Sequence, residues 1–360
     1  MNNYFSPAYE STNWDTIFNN DNITLPLTPP TIKKDSGYYH YTTLSAAEKI
    51  LNLNLESDDK IGKGKTPKHS NQNSYITLYA SHFLFLNDGE ELFQGIEKIK
   101  PIFKKKLQTG QALPENVKTA LNNYKDAISN LKPNNIENAP NHFILCFCSD
   151  GNLLSQWEWY GKNCGIAIEF DLNNCVIEGF SVRKEKMQIV PNKINVYEIM
   201  YTDEQKKIAI DKLQKYDVSS RIKADRFAML SLAVASHMKH PGFINEKEIR
   251  LLLAPLYQEG LSYNDALRQI KYREIDGILK PYMEVHIKHK ESKKSPIKSV
   301  TVGPGHNQSL VYSAVQKLVQ TRFANNTKNI EPPQKNKTMF YEYTKIGDIE
   351  VRRSTIPFRG

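Results

Sequence analysis

The chain has 360 residues and a formal net charge of +9, a length that can bury one large core or two smaller ones. A positive surplus of this size suits an anionic partner such as nucleic acid but does not require one. No apolar run approaches the about 20 residues of a membrane helix, and the first residues lack the basic start and apolar centre of a signal peptide. The four cysteines form no CxxC pair, so we expect a reducing, cytoplasmic setting without membrane contact.

The first third of the chain begins with an irregular segment, residues 1–36, rich in Asn, Thr and Pro. YYHYT then predicts a short strand, and TLSAAEKILNLNL a helix in which Ser45 and Glu48 form a capping box. A polar loop covers 61–74, with its basic residues in 61–69, and YITLYAS has the alternation of a strand. HFLFLNDGEELFQGIEKIKPIFKKKL ends in a helical period, and we interpret the polar residues 107–140 as a surface insertion with one helix, ENVKTALNNYKDAISNL.

The rest of the chain mixes short strands with helices. HFILCFCSD is a continuous apolar run typical of a buried strand, and GIAIEFDL, KINVYEIMYT, NEKEIRLLLAP, IDGILKPYMEVHIK and KSVTVGPG are further strands. Helices are predicted over DEQKKIAIDKLQKY, SSRIKADRFAMLSLAVASHMKH and SLVYSAVQKLVQ, and a linker precedes the last strand pair, MFYEYT and IEVRRST. The pattern predicts an α+β fold with mixed, largely antiparallel sheets flanked by helices. We expect residues 37–325 to form the main domain and 326–360 to complete it.

The segment Glu246-Lys247-Glu248-Ile249-Arg250 carries the strongest chemical signal. Alternation on a strand places Glu246, Glu248 and Arg250 on one face, next to the buried run LLLAP. One interpretation is a structural ion-pair ladder. The other is a catalytic carboxylate held by its neighbours.

Other candidates have a structural and a functional interpretation each. Asn87 and Asp88 form a turn or helix cap, or a ligand loop. Trp157 and Tyr160 belong to the core or to a ligand platform. The chain has no P-loop, no GxGxxG after a strand and no GxSxG, and two histidines one helical turn apart, at 237 and 240, lack a third ligand, so we predict no metal site.

Seven segments in this order resemble a bacterial family of unknown function, DUF2971. They are YYHYTTLSAAEKIL, FLNDGEEL, LCFCSDGNLLSQWEWYGKNCGIAIEFD, NEKEIRLLL, ILKPYMEV, VTVGPG and RRSTIPFR. The resemblance runs from about residue 38 to the end. It departs from the family pattern at Cys148, at Gly89, where proline is common, and at Trp159, near which the family often has histidine.

Three of these segments also resemble ADP-ribosyltransferases, more thinly. Those enzymes begin with a strand carrying His or Arg, continue with a strand that often carries Ser, and later present a catalytic Glu. YHYT, CFCSD and EKEIRLLLAP stand in that order here. The resemblance implies an ADP-ribosyltransferase-like fold and an enzyme that consumes NAD, by transfer to nucleic acid or protein or by hydrolysis, and that serves as a toxin or in phage defence.

The same resemblance implies the roles of the site residues. Glu248 would stabilise the cation-like ribose, Glu246 would orient the acceptor, and His40 would bind a ribose or the nicotinamide amide. Tyr41 or Tyr79 would stack on nicotinamide. Arg250 would pair with Glu248 or with a phosphate.

Two alternatives remain open. In the first, Asn87, Asp88, Trp157 and Tyr160 line a cleft that binds a nucleotide or a nucleic-acid end without chemistry, while the basic loop contacts phosphates. In the second, a nuclease-like hydrolase collects a divalent metal with the carboxylates of Asp88, Asp150, Glu246 and Glu248.

Overall fold

The structure is a computed structural model. It describes residues 37–51, 54–55, 74–86, 90–108, 113–131, 141–161, 164–183, 188–193, 196–254, 267–291, 294–323, 334–336 and 341–357. The predictions made for the segment 1–36, for the basic loop 61–69, and for Asn87 and Asp88 lie outside these ranges.

The strands follow the chain in short segments. They are β1 (Tyr38–Thr42), β2 (Asn54–Leu55), β3 (Ser74–His82), β4 (Phe143–Cys148), β5 (Ile166–Phe170), β6 (Cys175–Arg183), β7 (Gln188–Lys193), β8 (Val196–Glu198), β9 (Glu248–Leu253), β10 (Lys271–Ile275), β11 (Ile278–His289), β12 (Ile297–Val302), β13 (Gln334–Asn336), β14 (Tyr341–Ile346) and β15 (Ile349–Arg353). Among these strands every ladder is antiparallel except that of β12 with β15. The expected mixed, largely antiparallel sheet flanked by helices is confirmed.

The α-helices are α1 (Leu44–Ile50), α2 (Glu90–Gln108), α3 (Glu115–Ser129), α4 (Leu154–Tyr160), α5 (Asp203–Lys215), α6 (Arg221–Ser236) and α7 (Gln308–Phe323). Helix α1 begins two residues earlier than the sequence suggests, because the side chain of Thr43, not Ser45, accepts the capping hydrogen bond from the Ala46 amide. The expected cap at Ser45 was therefore wrong. Ser45 itself lies within the helix.

Strand β4 is the junction of the sheet. One edge of β4 pairs with β9 along its whole length. The other edge pairs with β3 at Phe143 and Ile144, and with β1 only at Cys148. From this junction one branch continues through β1, β5, β12, β15 and β14, and the other through β3, β11, β6 and β7. Within the described residues, the sheet therefore forks between β1 and β3.

The two branches share an apolar core, because alternate residues of each strand point to it. Ile76, Ile168, Leu251, Val285 and Val300 are all fully buried there. Burying a side chain of this size contributes about 1.5–3 kcal/mol to folding. Helices α1 and α7 add apolar side chains to the same core, so both branches and two helices are held by one cluster.

A second core lies within the helices α2, α3, α5 and α6. The expectation of a surface insertion at 107–140 is contradicted in part, because Val117 and Leu121 of α3 are fully buried in this core. The prediction failed because the polar outer face of the helix concealed an apolar stripe that runs from Val117 to Ile128. The helical layer packs next to the face of β4 and β9 that carries Ile144 and Leu252, and this packing creates the site described below.

The expected strand IDGILKPYMEVHIK is confirmed from Ile278 onward, where it is β11, but its first three residues form the end of β10 and the turn of a hairpin. Strands β10 and β11 pair from Lys271↔Tyr282 to Ile275↔Ile278, joined by Asp276 and Gly277, both with positive φ (54° and 76°). An Asp-Gly pair in this conformation is the preferred two-residue hairpin turn. The Asp-Gly pair is visible in the sequence. It is easily included in the strand because an apolar run follows directly after it.

Candidate functional site

Strand β9 positions two charged side chains against the helical layer. Glu248 and Arg250 alternate with Ile249 and Leu251, which are buried in the core between the branches. The strand itself begins at Glu248. Glu246 ends the preceding 3-10 turn, and Lys247 adopts a left-handed conformation with φ 49°. The expectation that Glu246 shares the strand alternation was therefore wrong.

Arg250 holds the centre of a buried charge network, which we call the Glu248 network: Glu91, Lys239, Glu246, Glu248 and Arg250. Its Nε donates to Glu248 Oε1 at 2.6 Å, and its Nη2 donates to Glu248 Oε2 at 3.0 Å. The same Nη2 donates to Glu91 Oε2 at 2.6 Å. Its Nη1 donates to the carbonyl oxygen of Ser236, at the end of α6, at 2.6 Å. The guanidinium thus ties β9 to α2 and α6.

Lys239 joins the three carboxylates of the network. Its Nζ lies 2.7 Å from Glu246 Oε2, 2.8 Å from Glu91 Oε1 and 3.1 Å from Glu248 Oε2. Three carboxylates against two cations leave one net negative charge in the network. This arrangement brings Glu246 back beside Glu248, although the two residues are not on one strand.

Ionisation is uneven within the network. Burial alone would raise the pKa of Glu248, but attraction to Arg250 and Lys239, with hydrogen bonds from Arg250 and the Cys146 thiol, lowers that pKa to about 2. Burial raises the pKa of Glu91, and the same two cations only partly oppose it. Glu248 is therefore a permanent carboxylate at ordinary pH, and Glu91 is the member of this pair that takes up a proton more readily.

The rim of the network contains a tyrosine and a phenylalanine. Glu248 is 9 % exposed, Glu246 20 %, Tyr160 40 % and Phe243 39 %. Burial raises the pKa of Tyr160, and the nearby Glu248 carboxylate raises it further, so its hydroxyl is a neutral donor at this edge. The Nζ atom of Lys239 lies 5.0 Å from the centre of the Phe243 ring.

His40 occupies the fork of the sheet. Its Nδ1 lies 3.1 Å from the carbonyl oxygen of Cys146, on the stretch of β4 that lacks a partner strand on that edge among the described residues. Its ring meets Phe147 edge-on at 6.1 Å. Burial lowers the pKa of His40, so the imidazole is neutral at ordinary pH.

His40 and Glu248 lie on opposite faces of the sheet. Tyr39 pairs with Cys148, and Cys148 pairs with Glu248, so these three residues form one cross-strand row with a common face. Side chains alternate along a strand, and His40 therefore faces the other way. The structure does not bring the predicted residues His40 and Glu248 together.

Tyr41 and Trp157 form a buried pair on the Tyr39 face. Their rings lie 4.7 Å apart, and each is less than a tenth exposed. The Tyr41 hydroxyl donates to the carbonyl oxygen of Asp150 at 2.8 Å and accepts from the Leu153 amide at 3.0 Å. The Trp157 Nε1 donates to Asn152 Oδ1 at 3.1 Å. These contacts favour the core interpretation for both rings.

Tyr79 lies apart from this pair, on the outer face of β3. It is 37 % exposed and stands 4.4 Å from the Tyr282 ring. Of the predicted site residues, Glu246, Glu248, Arg250 and Tyr160 come together, whereas His40, Tyr41, Trp157 and Tyr79 do not join them.

No group of three or more His, Cys, Asp or Glu side chains in the described ranges could hold a metal. Asp150 lies 3.0 Å from the Nζ of Lys247 in an exposed ion pair. His237 is fully buried with Nδ1 on the Ala233 carbonyl oxygen, and the Nδ1 of His240 accepts from the Gly242 amide. The described residues give no support to the nuclease-like alternative.

Sequence reasoning missed Glu91 and Lys239. Glu91 belongs to FLNDGEEL, a segment in which only Asn87 and Asp88 were predicted as site residues. Lys239 stands between two histidines that suggested a metal. Its one signal was its place just after a long apolar helix, where a cation stabilises the helix carbonyls.

One protein family matches the chain, described as a protein of unknown function (DUF2971), over residues 156–251. The match confirms, over this range, the resemblance found in the sequence. The range begins in α4 and ends in β9, so it includes Tyr160, Lys239, Glu246, Glu248 and Arg250. No curated protein and no solved structure matches the chain. In the part of the chain that the structure covers, no helix combines the length and apolarity needed to cross a membrane.

Proposed function

We propose that the protein is an NAD-consuming enzyme of the ADP-ribosyltransferase or NAD glycohydrolase type, with Glu248 as the carboxylate that stabilises the ribose cation. One observation carries the proposal. The three segments of the resemblance, YHYT, CFCSD and EKEIRLLLAP, are far apart in the chain but form the adjacent strands β1, β4 and β9, and Tyr39, Cys148 and Glu248 share one cross-strand row.

The chemistry needs a fixed negative charge. The bond between ribose C1′ and the nicotinamide nitrogen breaks, its electron pair leaves with nicotinamide, and positive charge develops on the ribose. A carboxylate already ionised and held in place stabilises that charge without reorganising. The low pKa of Glu248, about 2, and its contacts with Arg250 and Lys239 meet this requirement.

The acceptor approaches from the rim. Glu246 is more exposed than Glu248, so an entering hydroxyl or water meets Glu246 first. The acceptor oxygen or nitrogen attacks C1′ and releases its proton to solvent water at the rim, and Glu246 orients the acceptor for this step. The two Glu248 oxygens already accept hydrogen bonds from Arg250 and Lys239, and the Cys146 thiol adds another. These donors fill the about four acceptor positions of a carboxylate, so Glu248 acts on the ribose through its charge.

His40 has a different role in this proposal. Because it faces away from Glu248, it does not bind the same ribose from the same side. Its hydrogen bond to the Cys146 carbonyl joins β1 to β4 at the fork of the sheet. This bond helps to keep the cross-strand row of Tyr39, Cys148 and Glu248 in place.

The test is nicotinamide release from NAD, followed by mass spectrometry, with the wild type and with Glu246→Gln and Glu248→Gln. Glu246 is partly exposed, so its variant should fold even if the Glu248 variant is weakened. We expect at least a hundredfold loss of release for Glu248→Gln and about tenfold for Glu246→Gln, in line with the usual range for positioned acid–base and electrostatic groups.

Glu158→Gln, on the exposed part of α4, is the matched control and should keep wild-type activity. Thermal melts of all variants separate lost chemistry from lost folding. No release by the wild type, together with no thermal shift on adding NAD, would overturn the proposal.

A further inference from the structure

The outer face of β3, β10 and β11 has the composition of a stacking platform. Tyr75 stacks on His286 with ring centres 4.2 Å apart and planes 15° apart. Tyr79 and Tyr282 form a second ring pair at 4.4 Å. Tyr75 and Tyr79 are four residues apart on β3, about 13 Å along the strand, so the two ring pairs form a row on one face.

Each ring pair carries a cation. Lys288 Nζ lies 5.6 Å from the Tyr75 ring centre. The Arg273 guanidinium lies 5.2 Å from the Tyr79 ring and 5.5 Å from the Tyr282 ring. All three distances are within the range of cation–π attraction, so each ring pair has a cation against it.

Arg273 differs from its neighbours in its partners. Lys271 pairs with Glu284 at 2.7 Å, and Lys288 pairs with Glu178 at 3.5 Å. Arg273 contacts no carboxylate among the described residues. Its Nη2 makes one long hydrogen bond, 3.4 Å, to Ser81 Oγ, and its Nε is buried without an acceptor. A guanidinium usually pairs with a carboxylate or a phosphate. Arg273 can therefore bind an anion at this face.

We infer that this face, defined by Tyr75, Tyr79, Arg273, Tyr282, His286 and Lys288, binds single-stranded nucleic acid, with Arg273 on a backbone phosphate and the tyrosines under the bases. Bases stack on tyrosine regardless of their sequence, and phosphates supply the missing anion. The formal charge of +9 on the chain is complementary to such a partner. The row of ring pairs suits an extended strand better than a single nucleotide. The inference does not depend on NAD chemistry.

Burial and nearby positive charges agree with this assignment. Burial, with Lys288 and Lys271, lowers the pKa of His286 to about 4, so its ring is neutral and can stack at ordinary pH. Burial also lowers the pKa of Arg273, with only the two tyrosines opposing, as expected for a cation without its counter-ion.

The experiment is fluorescence anisotropy of the full chain with labelled single-stranded DNA and RNA longer than the usual site of about 4–16 nucleotides. Arg273→Gln and Tyr79→Ala should each weaken binding by about tenfold. Arg273→Lys keeps the charge but not the planar stack and should recover only part of the affinity. The logarithm of affinity should fall linearly with the logarithm of salt concentration.

Two variants serve as controls. Tyr272→Ala removes the tyrosine next to Arg273, on the opposite face of β10 and 59 % exposed. Lys212→Gln removes an exposed positive charge from α5. Both should bind as the wild type does, and thermal melts should show all variants folded.

Loss of affinity in the face variants but not in the controls supports the inference. Equal loss in Lys212→Gln and Arg273→Gln would mean general attraction and would overturn it. So would the absence of oligonucleotide binding, or binding of AMP and pyrophosphate as tight as that of the oligonucleotide.

Discussion

Arg250 makes hydrogen bonds to two carboxylates and one helix carbonyl while only 5 % of its surface is exposed. If the guanidinium of Arg250 is removed, Lys239 is the one cation of the Glu248 network left between the carboxylates of Glu91 and Glu248. Strand alternation alone was enough to predict that Glu248 and Arg250 share a face. Glu91 was beyond sequence reasoning, because a contact across 159 residues depends on how α2 packs on β9.

Arg250→Gln should lower the free energy of unfolding by about 3–5 kcal/mol, the usual cost of breaking a buried ion pair by removing one partner. Urea unfolding followed by circular dichroism measures it. Glu115→Gln is the control, because it removes the exposed ion pair with Lys118 and should change stability by less than about 1 kcal/mol. Similar small losses in both variants would show that the network contributes little to stability.

The low pKa of Glu248 predicts a pH dependence. The folded pKa, about 2, lies below the ordinary value of 4.5, so the ionised form stabilises the folded state above pH 4.5 and this contribution is lost as pH falls toward 2. The stability difference between the wild type and Glu248→Gln should therefore be largest near pH 6 and shrink by pH 3. Urea unfolding at pH 6, 4.5 and 3 tests this, and a difference independent of pH would contradict it.

Helices α2 and α6 approach each other closely at Gly95. A Cβ atom built there would stand 2.2 Å from the carbonyl oxygen of Ala235, so the crossing requires glycine. The crossing also places Glu91, one turn before Gly95, next to the end of α6, where the Ser236 carbonyl meets Arg250. The sequence predicted both helices, but a glycine within a helix gives no indication of which helix it contacts.

Gly95→Ala should destabilise the protein, by about 1–3 kcal/mol for overpacking, even though alanine favours a helix by about 0.5–1 kcal/mol over glycine. Differential scanning calorimetry should show a lower melting temperature. Gly347→Ala, which meets no atom within 4 Å but has φ +59°, tests backbone strain without a close approach. Stabilisation by Gly95→Ala would mean that the helices do not cross at this contact.

Strands β14 and β15 extend the described part of the sheet beyond β12. The pair β14 and β15 falls where MFYEYT and IEVRRST predicted it, but its parallel placement beside β12 was not readable from the sequence. A short turn between two strands indicates that they pair antiparallel. A parallel pair is joined by a long connection, so the sequence near a strand does not show which strand lies parallel to it. Arg352 of β15 reaches the buried Glu169 carboxylate of β5 at 2.7 Å, and Val351 is fully buried.

A chain that ends at Phe323 should lose cooperative thermal unfolding, since it uncovers the edge of β12 and leaves Glu169 buried without its cation. Val351→Asp in the full chain places a charge in the buried part of β15 and should also lose cooperative unfolding. Asp348→Ala, at an exposed turn, is the control. Melts by circular dichroism measure all three proteins. A shortened chain with the wild-type transition would show that the main domain is complete without these strands.

The fork in the sheet has a consequence for the proton on His40. A carbonyl oxygen can only accept, so the Nδ1 that faces Cys146 must carry the hydrogen. In the neutral ring the other nitrogen, Nε2, is then unprotonated. The main chain of β4 thus selects the tautomer of this histidine and leaves Nε2 as the hydrogen-bond acceptor of the ring.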